Sequence, residues 1–210
     1  PRREMDIVAQ VSGIVVKTAS QFVGGGSFKS NETLVGIDTR DYDLALVMAE
    51  GRVAEAEQVV ALERGRARQA KREWRDLGNA EANNLSLRIP QLKAAEAQVS
   101  TAIADRDRAG LDLERTQLSV PFDGRIRETM VDIGQYVSLG TQVARVYDTR
   151  VAQIRLPLTG EQAALIDLPM GVEGNRPFVI IKGAIAGVEE RWQGKVVRTE
   201  ATIDTRSRFY

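Results

Sequence analysis

Apolar positions recur along this chain with two different periods, and the switches between them divide it. From Met5 to Asp38 the apolar residues are β-branched and close to alternating, in "IVAQVSGIVVKT" and again in "ETLVGID", with Gly24 to Gly26 breaking the run. A period near two with glycine interruptions predicts short strands of a small β unit. From Asp41 the period lengthens. Leu46, Val53, Val60, Ala67 and Trp74 fall seven apart, and Ala49, Ala56, Glu63, Ala70 and Leu77 form a second series three residues on. This is an a/d helical seam with one charged interruption, and about 37 residues at 1.5 Å rise predict a rod of roughly 55 Å.

"LGNAEANNLSLRIP", Leu77 to Pro90, holds a Gly, three Asn and a Pro, the chemistry of a helix end, a turn and a new start. A second seam follows: Leu92, Ala95, Val99, Ala102, Ala109 and Leu113, with Arg106 where a core residue is expected. Two long helices with a short connection predict an antiparallel hairpin. Its alanines permit close approach but bury little area each, so further helices are expected against it in an assembly.

After Leu118 the short period returns, and it repeats the start of the chain. "VSGIVVKT" aligns with "FDGRIRET", placing Gly13 on Gly124; beyond a two-residue difference in the loop, Gly25 falls on Gly134, Phe28 on Val137, Asn31 on Gly140, Leu34 on Val143 and Ile37 on Val146. Gly13, Gly25, Asn31, Gly124, Gly134 and Gly140 are assigned to structural turns, Asn being the residue next to Gly in tolerating positive φ. The hairpin is thus an insertion between two β halves that must pack on each other. Beyond Thr149, "VAQIRLPL", "RPFVIIKGAIAGV" and "WQGKVVRTEATI" are strand-like, and "TGEQAALIDL" predicts a short helix capped by Thr159. A small β-barrel with one short helix, left incomplete at "RSRFY", is expected there.

The fold class is therefore α+β. The expected divisions are a first β half over 5–39, a helical hairpin over 40–117, a second β half over 118–148 and a truncated β-barrel over 149–210.

Composition narrows the chemistry. The 210 residues are 43% hydrophobic and 28% charged, an ordinary soluble balance. Lys plus Arg and Asp plus Glu both number 29, so no net field recruits a polyanion and no nucleic-acid partner is expected. Cys and His are both absent, which removes the commonest soft metal ligands, the thiolate nucleophile and the usual general base. No catalytic residue, metal site or cofactor is assigned. Runs such as "FVII" fall far short of the roughly 20 residues needed to cross a bilayer.

Several features carry a plain reading beside a sharper one. The triple glycine lacks the Gly-Lys-Ser/Thr of a phosphate cradle and reads as a hairpin loop. Asp204 and Arg206 read as a strand-end ion pair, and Trp74 as seam filling before binding anchor.

A split pair of β halves around a helical hairpin, followed by a barrel, resembles the periplasmic adaptor proteins, or membrane fusion proteins, of tripartite efflux pumps. "VSGIV" at Val11 to Val15, "LERTQLSVPFDGRI" at Leu113 to Ile126, "DIGQYVSLGTQVARVYD" at Asp132 to Asp148 and "GKVVRTEATIDTRSR" at Gly194 to Arg208 carry the likeness. The last looks like the subgroup serving resistance-nodulation-division (RND) transporters. The resemblance implies a biotinyl/lipoyl-like sandwich bearing an antiparallel coiled-coil hairpin, and a non-enzymatic periplasmic protein anchored to the inner membrane through a segment outside this chain. Its implied partners are an inner-membrane RND transporter, an outer-membrane channel and further copies of itself, six in the assembled pump. Many members carry Arg, Leu and Ser spaced four and then seven apart at the hairpin tip; with Leu77 in register this chain has Glu73 and Asn84 instead. The expected channel contacts are Trp74, Leu77, Asn84, Leu85, Ser86 and Arg88. Rival readings are an adaptor for an ATP-driven exporter, a biotinyl or lipoyl carrier, which would need a lysine at the turn between the β halves, and a cytoplasmic coiled-coil scaffold.

Overall fold

The computed structural model describes residues 3–76, 85, 87–157, 162, 177–185 and 187–197, and the chain divides into two compact units, Pro1–Ala152 and Gln153–Tyr210. The first unit opens with β1 (Glu4–Val8), β2 (Gly13–Thr18), β3 (Ser27–Phe28) and β4 (Thr33–Ile37). Two helices follow, α1 (Arg40–Asp76) and α2 (Ile89–Glu114). The unit closes with β5 (Gln117–Ser119), β6 (Gly124–Thr129), β7 (Tyr136–Val137) and β8 (Gln142–Asp148).

The eight strands form two antiparallel four-stranded sheets, ordered β1-β8-β6-β3 and β5-β4-β2-β7. Each sheet takes two strands from before the helices and two from after them. The core between them is shared just as evenly, with nine residues from Ile7 to Ile37 and nine from Leu118 to Val146. Leu34, Ile126, Val137 and Val146 are fully buried.

The repeat in the sequence becomes a two-fold-like repeat of hydrogen bonds. Gly25 N donates to Ile126 O and Gly134 N to Val15 O, both at 2.7 Å. Asn31 N donates to Val120 O at 2.7 Å, and its counterpart Gly140 N to Ala9 O at 2.8 Å. Even a side-chain acceptor has its mate: Ser30 N donates to Asp123 Oδ1 at 2.8 Å, Leu139 N to Ser12 Oγ at 3.2 Å. Each half therefore satisfies the loop amides of the other. Gly25, Asn31, Gly134 and Gly140 all take positive φ, between 60° and 88°.

Gly13 and Gly124 correct the turn assignment: they open strands β2 and β6 and do not take positive φ. What they need is room. A Cβ on Gly13 would meet Ile37 Cγ2 at 2.5 Å, and one on Gly124 would meet Tyr147 O at 2.4 Å.

The heptad positions of α1 and α2 face each other. Ala49, Val60 and Glu63 on α1 and Ala95 and Ala102 on α2 are buried, while most other helical positions stay exposed. The helices run antiparallel, since Leu46 lies beside Gly110 and Arg64 pairs with Glu96. Arg106 occupies the α2 seam half-buried, its Nε 2.8 Å from Asp107 Oδ1 in an ion pair not aligned as a hydrogen bond.

Both helix roots are tied to the sandwich. Tyr42 packs on the core and its hydroxyl donates to Ser12 O at 2.7 Å; burial raises its pKa. Asp38, held down to about 2 by hydrogen bonds from the Arg40 side chain and then its backbone, sits at the start of α1 with Asp41 and Asp43 in the first turn, where negative charge suits the helix dipole. At the other root Thr116 is fully buried, donates Oγ1 to Leu113 O at 2.6 Å and accepts from Ile37 N at 2.8 Å.

In the second unit β9 (Phe178–Ile185) and β10 (Val188–Lys195) form an antiparallel hairpin about Gly187, at φ 84°. Its turn falls inside the predicted strand "RPFVIIKGAIAGV", because Gly187 takes a conformation that ends a strand. "VAQIRLPL", expected as a strand, is not one over 151–157, where no described strand lies alongside to pair with it. The short helix expected from Thr159 lies outside the described residues except Gln162, and Asp204 and Arg206 lie wholly outside them.

Candidate functional site

The far half of the helical pair carries the densest polar organisation outside the sandwich. Its centre is Glu63, the charged residue of the α1 seam, only 8% exposed. A carboxylate there must be paired to stay ionised. Arg66, one turn along, donates Nη1 to Oε1 at 2.6 Å, and Arg88 donates Nε and Nη2 to Oε2 at 2.9 and 2.7 Å. These bonds, Arg88's first and then Arg66's, hold the Glu63 carboxyl below its ordinary range.

Arg88 is placed by backbone geometry that its residue type does not favour. It is the N-cap of α2 at φ 57° and ψ 25°, makes no side-chain cap bond, and is followed by Pro in the first turn. Its N donates to Leu85 O at 3.1 Å. A left-handed arginine costs about 1 to 2 kcal/mol, and the double hydrogen bond to Glu63 offsets it.

Charge is distributed unevenly along α1. From Arg40 to Leu62 there are five carboxylates and two arginines; from Glu63 to Asp76 there are six cations and three carboxylates. The helix dipole favours this sense of charge only within the first and last turns, so it does not account for Arg64, Arg66 and Arg68. Arg64, Arg68 and Lys71 recur at the spacing of one helical row. Arg64 pairs with Glu96 at 3.0 Å. Among the described residues no carboxylate pairs with Arg68 or Lys71.

This row borders a hollow of about 560 Å³, lined from α1 also by Ala61 and Ala67 and from α2 and the residues before it by Leu87, Ile89 and Leu92. The alanines keep it open and the three larger residues make one side apolar. A second hollow of about 470 Å³ lies at the end of β8 beside Asp148. That carboxylate is committed to Arg150, whose side-chain and backbone hydrogen bonds hold it down to about 2.

Of the expected contact residues, Trp74 lies half-buried on the seam in the last turn of α1, Leu85 is 60% exposed, and Arg88 is engaged by Glu63. Leu77, Asn84 and Ser86 lie outside the described residues. The hollow and its cationic row were not read from the sequence, where the arginines looked like a solvated face; their spacing at 64, 68 and 71 was the available signal. Apolar residues also stand exposed, Leu44, Val47, Met48 and Leu62 on α1 and Ile14, Val16 and Tyr136 on the sandwich. Among the described residues no helix is long and apolar enough to cross a membrane, and no group of His, Cys, Asp and Glu could hold a metal ion.

Comparison with known proteins agrees with this architecture. Residues 3–149 match the family model for the barrel-sandwich hybrid domain of RND membrane fusion proteins. The chain is 26% identical over 205 residues to the multidrug resistance protein MdtA of Escherichia coli, covering 91% of this chain and 48% of that protein. It is 23% identical over 190 residues to MdtA of Xenorhabdus bovienii, covering 89% and 45%. The chain thus spans about half the length of these relatives. Among solved structures, a MacA-MexA chimeric protein containing the Pseudomonas aeruginosa MexA α-hairpin domain aligns with TM-score 0.60 at 19% identity, over 99% of this chain and 67% of that one. The membrane fusion protein Spr0693 of Streptococcus pneumoniae aligns with TM-score 0.60 at 15% identity, over 99% and 86%. Both likenesses are of fold.

Proposed function

The chain belongs to the RND membrane fusion proteins, whose barrel-sandwich hybrid domain accounts for residues 3–149, and from that premise we propose that it is the periplasmic adaptor of a tripartite efflux pump. In this reading the protein, anchored to the inner membrane, joins an RND transporter there to an outer-membrane channel. It performs no chemistry of its own. Six copies stand side by side, the sandwiches forming a ring and the helical pairs a tube, while the second unit relays the transporter's movements. The sandwich is the lipoyl-like body of the adaptor, and α1 with α2 its coiled-coil arm, with Trp74, Leu77, Asn84, Leu85, Ser86 and Arg88 at the channel end.

The observation that carries the reading is the sandwich built from two interlocked halves with a long antiparallel helical pair between them. Where a carrier domain would present its lysine, between the β halves, this chain places α1 and α2; the nearest lysines, Lys17 and Lys29, belong to the first half. The exposed apolar residues of α1 and of β2 and β7 offer surface for neighbouring copies.

In vivo cross-linking of the full-length protein tests the proposal. Probes in the sandwich and second unit should trap an RND transporter, and a probe at Leu85 an outer-membrane channel. Deleting the gene should sensitise the cell to exported compounds. Exclusive capture of an ATP-driven exporter would replace the transporter half of the reading, and no envelope partner at any position would end it.

A further inference from the structure

We infer that the hollow beside Arg64, Arg68 and Lys71 is a docking groove for an amphipathic helix of the partner, one whose carboxylates match that cationic row. This deepens the adaptor reading and rests on it for the identity of the protein that supplies the helix.

The groove has the two parts that helix recognition requires, an apolar side and a charged edge. Leu87, Ile89 and Leu92 supply the first, and the row of cations on α1 the second. Ala61 and Ala67 leave the space between them empty, about 560 Å³ in all. The row spans seven residues, about 10 Å along the axis, which fits carboxylates at i, i+4 and i+7 on a helix laid alongside. Arg68 and Lys71 have no carboxylate partner among the described residues, so their charge is available to an incoming chain; Arg64 would share its guanidinium between Glu96 and the guest.

Charge also selects between occupants. Copies standing parallel in a ring bring the cationic half of each α1 beside the same half of its neighbour, and like charges disfavour that contact. A membrane prefers a convex apolar face flanked by cations, whereas here the apolar residues line a recess. An acidic helix of a different protein meets both conditions.

A photo-crosslinking residue replacing Ala61 or Leu87 in the full-length protein, in cells, tests this, with the trapped peptide sequenced and a probe at Leu85 run in parallel. The trapped segment should be helical, belong to the outer-membrane channel, and carry at least two carboxylates at helical spacing. Trapping should fall about tenfold in Arg68→Glu/Lys71→Glu and hold in Arg52→Glu, a reversal about four turns back on the same helix. A neutral or basic segment, a lipid adduct, a second copy of this chain, or indifference to the double reversal would each overturn the groove. So would a silent groove probe while the Leu85 probe still captures the channel, an outcome that leaves the adaptor reading standing. If neither probe captures a channel, both readings fall together.

Discussion

At the scale of single residues, the glycines of the repeat do two different jobs, and alanine separates them. A Cβ on Gly124 would lie 2.4 Å from Tyr147 O and 2.8 Å from the Phe28 ring. The first of these is backbone, held in the sheet by the β6–β8 pairing, so relief requires moving a strand. Gly25 faces open space, and its φ of 85° is the sole obstacle. Gly124→Ala is therefore expected to cost about 3 kcal/mol and Gly25→Ala about 1 kcal/mol, read from urea midpoints at constant slope. Equal losses would mean that the Gly124 backbone yields more easily than its contacts imply. The sequence alignment of Gly13 with Gly124 marked both as equivalent but could not say why. A glycine required by a neighbour's backbone looks the same in sequence as one required by its own φ.

At the scale of elements, the helical pair holds its far end through one buried carboxylate. The Glu63 carboxyl has its pKa lowered in the folded protein by Arg88 and Arg66. The stabilisation is therefore present above the ordinary glutamate range, and it is lost as pH falls through that range toward the folded value. Amides in the first turns of α2 should then lose hydrogen-exchange protection on acidification, Leu92 N among them, while the β6–β8 amides keep theirs. In Glu63→Gln those α2 amides should be less protected at neutral pH and lack the acid step; an unchanged acid step would assign it to another group. The heptads were legible because apolar spacing is local. Glu63 and Arg106 were equally legible as exceptions, yet their partners were not. Glu63 is satisfied by a residue 25 positions on, beyond a turn, and no periodicity specifies which cation reaches back across it. The cationic row was hidden by the same limit, since a groove exists only once α2 lies beside α1.

At the scale of the whole molecule, the sandwich depends little on the helices that interrupt it. All of its buried core comes from residues before Thr39 or after Arg115, with Tyr42 the one helical residue packed against it among the partly buried apolar residues. The two roots already meet, Ile37 N donating to Thr116 O at 2.8 Å. Replacing 40–114 with a short Gly-Ser linker should leave a cooperatively folding β body within about 2 kcal/mol of the parent's, measured by urea unfolding and dispersed amide spectra. A molten product would show that the helices brace the sheets. The interlocked halves also set a timetable for biosynthesis. When Ile37 has been made, two of the four strands of each sheet still await synthesis, and β6 arrives nearly ninety residues later, on the order of ten seconds at ordinary elongation rates. Throughout that wait the first half is a set of orphan strands with open edges. The helical pair, whose contacts are more local, forms first and brings the late strands back to the early ones, so a slow or broken helix would leave the nascent chain sticky well before any partner is met.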